Sequence, residues 1–397
     1  IFGEFLAGYV AAIQSGGNVV NYLKSKTTSA FETLENTEKL GVEKISGVIH
    51  GWLTMQIVIL ALFILIAAVG ANPMDGGTSG AQSDPPYVLL FFSPIMSVLF
   101  LKIVQRMVRA NVPEIPVKKF LQIAAPSVLI VSILIFTNVI SSLHIDAYLL
   151  GMALIISSIL PALQFNKIYQ LNIAAENATP QILRDITEAR KAGMGPEKCI
   201  IRACKRKDFK LFNTVANSIS NKLEWGVALN NIYDGLNKEI KNFQVLISFR
   251  ILFEIISSGG GNVSSLDSLS DTSEKIYNIE KNKRESLKVY VMVGFMLITV
   301  TGFTTLLTIE SFSVINEKQN LDKTKTNDTT KSDLFLERVS LSLVIQGWLS
   351  GLFIGKITKG SYSGGYVYSI MLVIITMASI ALIQLHVVNF NALFKSA

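Results

Sequence analysis

The string Gly16-Gly17-Asn18-Val19 near the start of the chain recurs as Gly260-Gly261-Asn262-Val263. An apolar helix-like run precedes each copy, and a polar charged stretch followed by a long apolar segment comes after it. Identical residues flank the copies at one constant spacing: Phe5 and Phe249, Thr28-Ser29 and Thr272-Ser273, Lys39 and Lys283. Self-similarity at a fixed spacing predicts one module used twice. Because the chain opens on Ile1, shortly before the first glycine pair, we expect the first module to be incomplete.

The composition is that of a membrane protein. Of 397 residues, 50% are hydrophobic and only 16% are charged, and the mean hydropathy is +0.44. A soluble enzyme is normally less apolar and richer in charge. The net charge of +7 reflects an excess of lysine and arginine. In a membrane protein these residues mainly mark cytoplasmic loops, so the charge does not predict nucleic-acid binding.

Seven apolar stretches approach the length of about 20 residues that a transmembrane helix needs. They cover residues 52–70, 87–104, 123–143, 147–163, 289–309, 339–355 and 365–387. Basic residues cluster after the second, before the fifth and after the sixth: Lys102, Arg106, Arg109, Lys118 and Lys119; Lys281, Lys283, Arg284 and Lys288; Lys356 and Lys359. All three clusters fall on one side if residues 1–51 are cytoplasmic. We therefore predict a multi-pass protein of the cytoplasmic membrane.

The spans and the repeat divide an all-α chain into four parts. These are residues 1–51, the C-terminal remnant of a first cytoplasmic helical bundle; 52–164, four transmembrane helices; 165–288, the second cytoplasmic bundle; and 289–397, three further transmembrane helices. The second bundle is predicted to begin its first helix at Thr179-Pro180, which has N-cap and first-turn chemistry. An extracellular loop is predicted at 310–337, and it contains Asn327 in a glycosylation sequon whose use is left open.

Catalytic, nucleotide-binding and metal-binding motifs are not found in the sequence. Ile357 stands where a phosphate loop ending in Gly355-Lys356 needs serine or threonine. The segment Gly360-Ser361-Tyr362-Ser363-Gly364 has tyrosine in place of a serine nucleophile. Cys199 and Cys204 are the only cysteines, and no histidine lies near them. We therefore predict a protein that is not an enzyme and needs no cofactor or metal.

A secondary membrane transporter is the alternative function. Ion-coupled transporters place ionisable side chains inside their spans, whereas these spans carry almost none. Asn138 and Gln346 are the main polar side chains at depth, and we interpret them as interhelical hydrogen-bonding groups. Transporter repeats are commonly inverted, but this repeat enters its spans in the same direction twice. An intramembrane protease, the third possibility, has no Ser-His or Asp-Asp pair to support it.

Three features predict contacts with other molecules or helices. A basic run in the second bundle could bind an acidic protein surface or anionic lipid, or could be a solvated helix face. It comprises Lys198, Arg202, Lys205, Arg206, Lys207 and Lys210. Gly347, Gly351 and Gly355 give the sixth span a face for close packing against this chain, a second subunit or a single-span protein. Residues 243–256 are apolar nearly all round, which indicates a central helix or a subunit interface, and a C2 homodimer is the default.

Together these segments resemble the type II secretion F domain family, which occurs as a duplicate in the platform proteins of type II secretion and type IV pili. The resemblance rests on Leu183-Arg184-Asp185, Gly193, Trp225-Gly226-Val227-Ala228-Leu229 and Ser258-Gly259-Gly260-Gly261-Asn262 before a charged stretch and a membrane helix. The C-terminal segments Gly347-Trp348-Leu349-Ser350-Gly351-Leu352, Gly355-Lys356-Ile357 and 360–364 are similar to the archaeal branch, which includes the archaellum platform protein. Seven spans, rather than about three, also fit that branch.

The resemblance implies a non-enzymatic part of a filament-assembly machine. Platform proteins of this family couple a cytoplasmic hexameric ATPase to pilin-like subunits, so that ATP-driven movement adds pilins to the filament base. By this resemblance the basic run would dock the ATPase, and the glycine face of the sixth span would hold an apolar pilin helix. Gly16, Gly17, Gly260 and Gly261 would form matching joints between the ATPase side and the spans. The kind of filament and the identity of the ATPase are left open.

Overall fold

The structure is a computed structural model that describes residues 2–70, 87–107, 146–206, 208–259, 261–319 and 328–384. Every regular element within these ranges is helical, which confirms the all-α prediction for them. The α-helices are α1 (Phe2–Gln14), α2 (Val19–Gly70), α3 (Tyr87–Met107), α4 (Asp146–Lys191), α5 (Pro196–Cys204), α6 (Asn213–Glu224), α7 (Leu229–Glu239), α8 (Phe243–Ser257), α9 (Val263–Gln319), α10 (Asp328–Lys359) and α11 (Tyr366–Gln384). Short 3-10 helices cover Lys210–Phe212 and Tyr362–Gly365.

Five of these helices, α2, α4, α9, α10 and α11, contain a stretch long and apolar enough to cross a membrane. By the length and composition of its helices the chain is a multi-pass membrane protein. The second predicted span coincides with α3. The third, at 123–143, lies outside the described residues together with Asn138, so the number seven stays a prediction. We call the side that carries residues 19–51, predicted to be cytoplasmic, the inner side.

Three helices run without a break from the inner side into the part of the molecule that contains the candidate membrane spans. We call this part the membrane half. α2 has 52 residues, α4 has 46 and α9 has 57. With a rise of 1.5 Å per residue, α9 is about 85 Å long. The predicted limits at 51, 164 and 288 therefore fall inside continuous helices, so the soluble and membrane parts are joined by helical backbone and not by linkers.

The second predicted cytoplasmic bundle does not begin a new helix at Thr179-Pro180, so that prediction was wrong. The Thr179 hydroxyl donates to the Ala175 carbonyl at 2.7 Å, and Pro180 lies inside α4. A proline inside a helix removes one backbone hydrogen bond. Buried apolar residues continue on one face before and after it, from Ala175 to Ile182. Packing of this face keeps the helix continuous through residues whose local chemistry favours a helix start.

The helices α2 and α9 pack side by side in parallel. Three contacts occur in the same order along both helices: Lys275 lies over the Phe31 ring at 5.6 Å, Lys283 pairs with Glu38 at 2.7 Å, and the hydroxyls of Tyr290 and Ser46 are hydrogen-bonded. The first and third contacts join positions at the spacing of the Gly-Gly-Asn-Val repeat. Equivalent positions meet in this way when two copies are arranged about a twofold axis. Duplication of whole modules stays a prediction.

The inner bundle consists of the second half of α4, helices α5 to α8 and the first turns of α9. Its buried core includes Ile182, Leu183, Ile186, Ile200, Phe212, Val215, Ile219, Ile232, Leu236, Phe249, Leu252, Leu266 and Leu269. Apolar residues at helical spacing within 211–236 predict five of these positions: Phe212, Val215, Ile219, Ile232 and Leu236. Leu211 is an exception, since it belongs to the 3-10 turn before α6 and is exposed.

The predicted extracellular loop at 310–337 is shorter than the sequence indicated. α9 continues to Gln319 and α10 already begins at Asp328. Neither residues 310–319 nor 328–337 contain glycine or proline, so nothing in them ends a helix that has left the apolar region. Asn327 lies outside the described residues.

Candidate functional site

The basic run of the inner bundle is distributed over several elements. Lys198 and Arg202 lie one turn apart on the exposed face of α5, whose opposite face is buried. Lys210 is exposed in the 3-10 turn and has a φ of +50°. None of these three forms an ion pair within the described ranges. Lys207 lies outside those ranges.

Lys205 and Arg206 are paired with carboxylates of the bundle itself. Lys205 forms an ion pair with Glu224 at the end of α6. Arg206 donates to both oxygens of Asp185 on α4, at 2.7 and 3.0 Å, and to Asp208 at 3.2 Å. The centre of the predicted basic run is thus locally neutralised. Among the described residues of the run, the charges left for an acidic partner are those of Lys198, Arg202 and Lys210, and the docking role itself stays a prediction.

An exposed tryptophan directly follows Glu224, the ion-pair partner of Lys205. Trp225 ends α6 and is 80% exposed, and the next residue, Gly226, has a φ of +73° that turns the chain toward α7. Tryptophan on the surface of a soluble bundle is unusual, and it is enriched where proteins bind one another. The sequence assigned Trp225 a role only as part of the segment that carries the family resemblance. The signal in the sequence for an exposed Trp225 was its position two residues after Leu223, the last buried residue of α6.

The helix α8 has a buried apolar face and an exposed face that is partly apolar. Val245, Phe249 and Leu252 enter the bundle core. Phe243 and Ile247 are exposed, as is Ile251 one turn further on. Both alternatives for residues 243–256 therefore have a counterpart in the structure, because the helix is packed on one side and carries these apolar residues, together with Arg250 and Glu254, on its exposed side. A homodimer through that exposed side stays a prediction.

A buried ion pair joins the inner bundle to α9. Arg284 of α9 donates to both carboxylate oxygens of Glu176 on α4, at 2.7 and 3.2 Å. The Asn242 amide also donates to Glu176, at 3.2 Å. Asn242 is the N-cap of α8, and its backbone N–H donates to the Asn172 side chain of α4 at 3.0 Å. One carboxylate thus holds α4, α8 and α9 together, a joint that the sequence did not reveal.

A cleft opens beside this ion pair, between α2, α4, α9 and the inner end of α10. Its lining consists of Ile45, Tyr169, Asn172, Ile173, Glu176, Asn242, Glu280, Lys283, Arg284, Leu287, Ile357, Thr358, Lys359 and Gly360. The Lys359 ammonium lies over the rings of Tyr169 and Tyr368, at 5.3 and 5.0 Å. Basic residues from two of the predicted cytoplasmic clusters therefore meet at one level of the molecule. We call this hollow the joint cleft.

The glycines predicted as joints lie at two similar turns. Gly16 has a φ of +66° after α1, and Gly261 has a φ of +78° after α8. The side chains of Asn18 and Asn262 accept backbone N–H groups of the next helix, from Asn21 and Ser264, both at 3.1 Å. Gly17 directly follows Gly16 in the first turn, and Gly260 lies outside the described residues. Both long helices thus start with a glycine turn and an asparagine cap.

The glycine face of α10 is filled by α11 and the 3-10 helix that precedes it in the same chain. A Cβ at Gly351 would collide with the backbone of Ser369, and one at Gly355 with the backbone of Gly365. At Gly347 it would lie 3.2 Å from a Thr376 methyl group. These glycines therefore allow two helix backbones to approach closely. A pilin helix could reach the face only if α10 and α11 separated.

Metal and thiol chemistry have no visible basis in the described ranges. They contain no group of three or more His, Cys, Asp or Glu side chains able to hold a metal ion. Cys199 and Cys204 are free and fully buried in the bundle core. Burial raises the pKa of the Cys204 thiol to about 12. Both cysteines pack as small apolar side chains.

In comparisons with family models, curated proteins and solved structures, nothing matched the chain. The similarity to the type II secretion F domain family therefore rests on the sequence segments described above, and the family assignment stays a prediction.

Proposed function

We propose that this chain is a polytopic membrane platform protein of a type IV pilus-like or archaellum assembly machine. In this role it couples a cytoplasmic hexameric ATPase to the insertion of pilin-like subunits into a filament. The observation that supports this most is the continuity of α9. Leu266 belongs to the bundle core and Leu306 to an apolar cluster in the membrane half, yet both lie on one unbroken helix. A displacement of the bundle would reach the membrane helices through this helix.

Two further links would make the coupling stiff. α4 also spans from the bundle core at Ile186 to the membrane cluster at Leu154. The Glu176–Arg284 pair joins α4 to α9 at the level where both enter the membrane half. Relative sliding of the two helices would separate this buried pair, which is unfavourable. The bundle and the spans would therefore move as one body when the ATPase changes conformation.

The ATPase contact in this proposal is the exposed surface around Trp225, with the charges of Lys198, Arg202 and Lys210. An aromatic anchor with peripheral charge is a common composition for protein interfaces. Lys205 and Arg206 contribute less to ATPase binding than the sequence suggested, because their charges are paired with carboxylates of the same bundle.

The pilin contact in this proposal lies on the lipid-facing side of α9, since α11 covers the glycine face of α10. Met292 and Met296 are exposed there at four-residue spacing. Methionine adapts its shape to varied apolar partners. A photo-crosslinking residue at either position should capture pilin-like subunits. The same residue at Ile156, exposed on α4, is the matched control and should capture fewer.

The decisive experiment is copurification from native membranes. The tagged wild-type chain should recover a secretion-type ATPase. A variant carrying Lys198→Glu, Arg202→Glu, Lys210→Glu and Trp225→Ala should recover at least about tenfold less, as expected when an anchor residue and its charges are lost. Lys24→Glu, Lys26→Glu and Lys238→Glu together change the charge equally at exposed sites elsewhere, and should leave recovery unchanged.

Unchanged ATPase recovery by the docking variant, with normal filaments, would contradict the proposed contact. Transport of a small solute by the purified chain alone would contradict the platform function and favour the transporter.

A further inference from the structure

We propose that the joint cleft binds the phosphate headgroup of an anionic membrane lipid from the inner leaflet, with the Lys359 ammonium as the main cation. This site is independent of the filament-assembly proposal. It would make the contact between the inner bundle and the spans depend on the lipid composition of the membrane.

The first support is the charge of the cleft. Three cations and two carboxylates line it: Lys283, Arg284 and Lys359, with Glu176 and Glu280. The Arg284 guanidinium forms an ion pair with the Glu176 carboxylate. Lys283 pairs with Glu38 at 2.7 Å and approaches Glu280 at 3.9 Å. Lys359 forms no ion pair with any described residue, so its ammonium group is the one cation of this lining that no described carboxylate pairs with.

The second support is the surroundings of Lys359. The two tyrosine rings, of Tyr169 and Tyr368, attract the ammonium through their faces and hold it at the cleft. A ring face stabilises a cation without neutralising it, so a partly desolvated positive charge persists. Such a charge gains from a phosphate oxygen more than a lysine in open water would.

The third support is the apolar continuation of the cleft into the membrane half. Ile357 and Thr358 line both the cleft and a smaller hollow below it. The remaining lining of the hollow is Ile49, Trp52, Tyr290, Val291, Phe353 and Ile354. Polar groups thus lie toward the inner side and apolar groups toward the membrane interior. This is the order of headgroup and hydrocarbon in a lipid, and it favours a lipid over a free phosphate ion.

The fourth support is an unsatisfied donor in the lower hollow. The Trp52 indole N–H is buried and has no hydrogen-bond partner within the described part of the chain. Its side chain is only 1% exposed, and its ring packs against Phe353 at 4.6 Å. A buried donor without an acceptor is unfavourable. A lipid in the cleft would bring its glycerol and ester or ether oxygens close to this level and could supply the acceptor.

The test is native mass spectrometry of the purified full chain in detergent, titrated with phosphatidylglycerol or phosphatidylcholine. The wild type should bind phosphatidylglycerol in preference to phosphatidylcholine. Lys359→Gln should weaken phosphatidylglycerol binding about fivefold or more, from the typical contribution of one lysine at an anionic membrane surface. Lys359→Arg should retain it, and Lys238→Gln, at an exposed position on α7, should not change it.

A second variant keeps the test informative if Lys359→Gln does not fold. Trp52→Phe preserves an aromatic ring against Phe353 and removes the N–H. It should weaken phosphatidylglycerol binding about twofold to tenfold, the usual range for one hydrogen bond, without changing any binding of inorganic phosphate.

Three results would overturn the inference. The first is equal phosphatidylglycerol binding by the wild type and both the Lys359→Gln and Trp52→Phe variants. The second is equal binding of the two lipids by the wild type. The third is displacement of phosphatidylglycerol by inorganic phosphate at the same concentration as the lipid, which would identify a site for free phosphate.

Discussion

Ser46 and Tyr290 are separated by 244 positions in the chain, and their hydroxyl groups are hydrogen-bonded across the contact between α2 and α9. The two Gly-Gly-Asn-Val strings have the same separation. Phe31 and Lys275, which also contact each other, share it as well. The spacing seen in the sequence therefore recurs as the register of a helix pair.

The register of α2 against α9 predicts a charge-swap rescue. Glu38→Lys would place a lysine against Lys283, and Lys283→Glu would place a glutamate against Glu38 and near Glu280. Because both partners of the pair are about a quarter exposed, each single change should cost about 1 kcal/mol of stability. The double variant should recover part of this loss in thermal unfolding. A swap of the exposed Glu35–Lys39 pair should have little effect, and additive losses at Glu38 and Lys283 would contradict the register.

The Glu176–Arg284 pair predicts a large loss of stability on breaking it. Glu176→Gln leaves the Arg284 guanidinium partly buried without its counter-charge, which typically costs about 3 kcal/mol in a well-buried pair and less here in proportion to exposure. Thermal unfolding of the detergent-solubilised chain measures the effect. Glu188→Gln, which removes the exposed partner of Arg184, is the control and should cost about 0.5 kcal/mol or less. Equal shifts for the two variants would show that the joint does not stabilise the fold.

The glycine contact between α10 and α11 predicts a graded response to alanine. Gly351→Ala inserts a methyl group into the backbone of α11 at Ser369, and Gly355→Ala into the backbone of the preceding 3-10 helix at Gly365. Each should destabilise the chain by at least about 2 kcal/mol. Gly347→Ala has its nearest contact with the Thr376 side chain, at 3.2 Å, and should cost less. Gly302→Ala, where the added Cβ has no neighbour within 4 Å, should be neutral or slightly stabilising. Midpoints of thermal unfolding in the order predicted would support the packing, and equal midpoints would contradict it.

The two cysteines should be unreactive until the bundle unfolds. A pKa of about 12 leaves roughly one Cys204 thiol in ten thousand ionised at pH 8, and both side chains are fully buried. The native protein should thus give no colour with Ellman's reagent at pH 8, whereas the protein in SDS should titrate two thiols. Lys198→Cys, on the exposed face of the same helix, should react at once. Rapid labelling of Cys199 or Cys204 in the native state would show that α5 opens readily.

The sequence predicted those helices whose length or start is determined by residues within the helix or next to it. The apolar lengths predicted the five described helices that are long and apolar enough to cross a membrane, and the glycine turn before Asn262 predicted the start of α9. Thr179-Pro180 was misread because its helix-start signal is local, whereas the apolar face that keeps α4 continuous is buried by distant helices.

Pairings between distant residues were beyond the sequence. Glu176 and Arg284 are 108 positions apart, and Arg206 and Asp185 are 21 apart on different elements. A run of basic residues reveals charge but not the carboxylates that the fold brings against it. The glycine spacing of α10 indicated a close helix contact in the same way, without indicating that α11 makes it.

The position of Trp225 gives the chain a built-in optical probe. It is one of three tryptophans, and the other two are shielded: Trp52 is buried, and the Trp348 indole donates to Ser158 inside the membrane half at 3.0 Å. Iodide, which stays in water, should therefore quench the emission of Trp225 alone. Any partner that covers this end of the inner bundle would protect that emission, so its binding could be followed on the unmodified protein without attaching a dye.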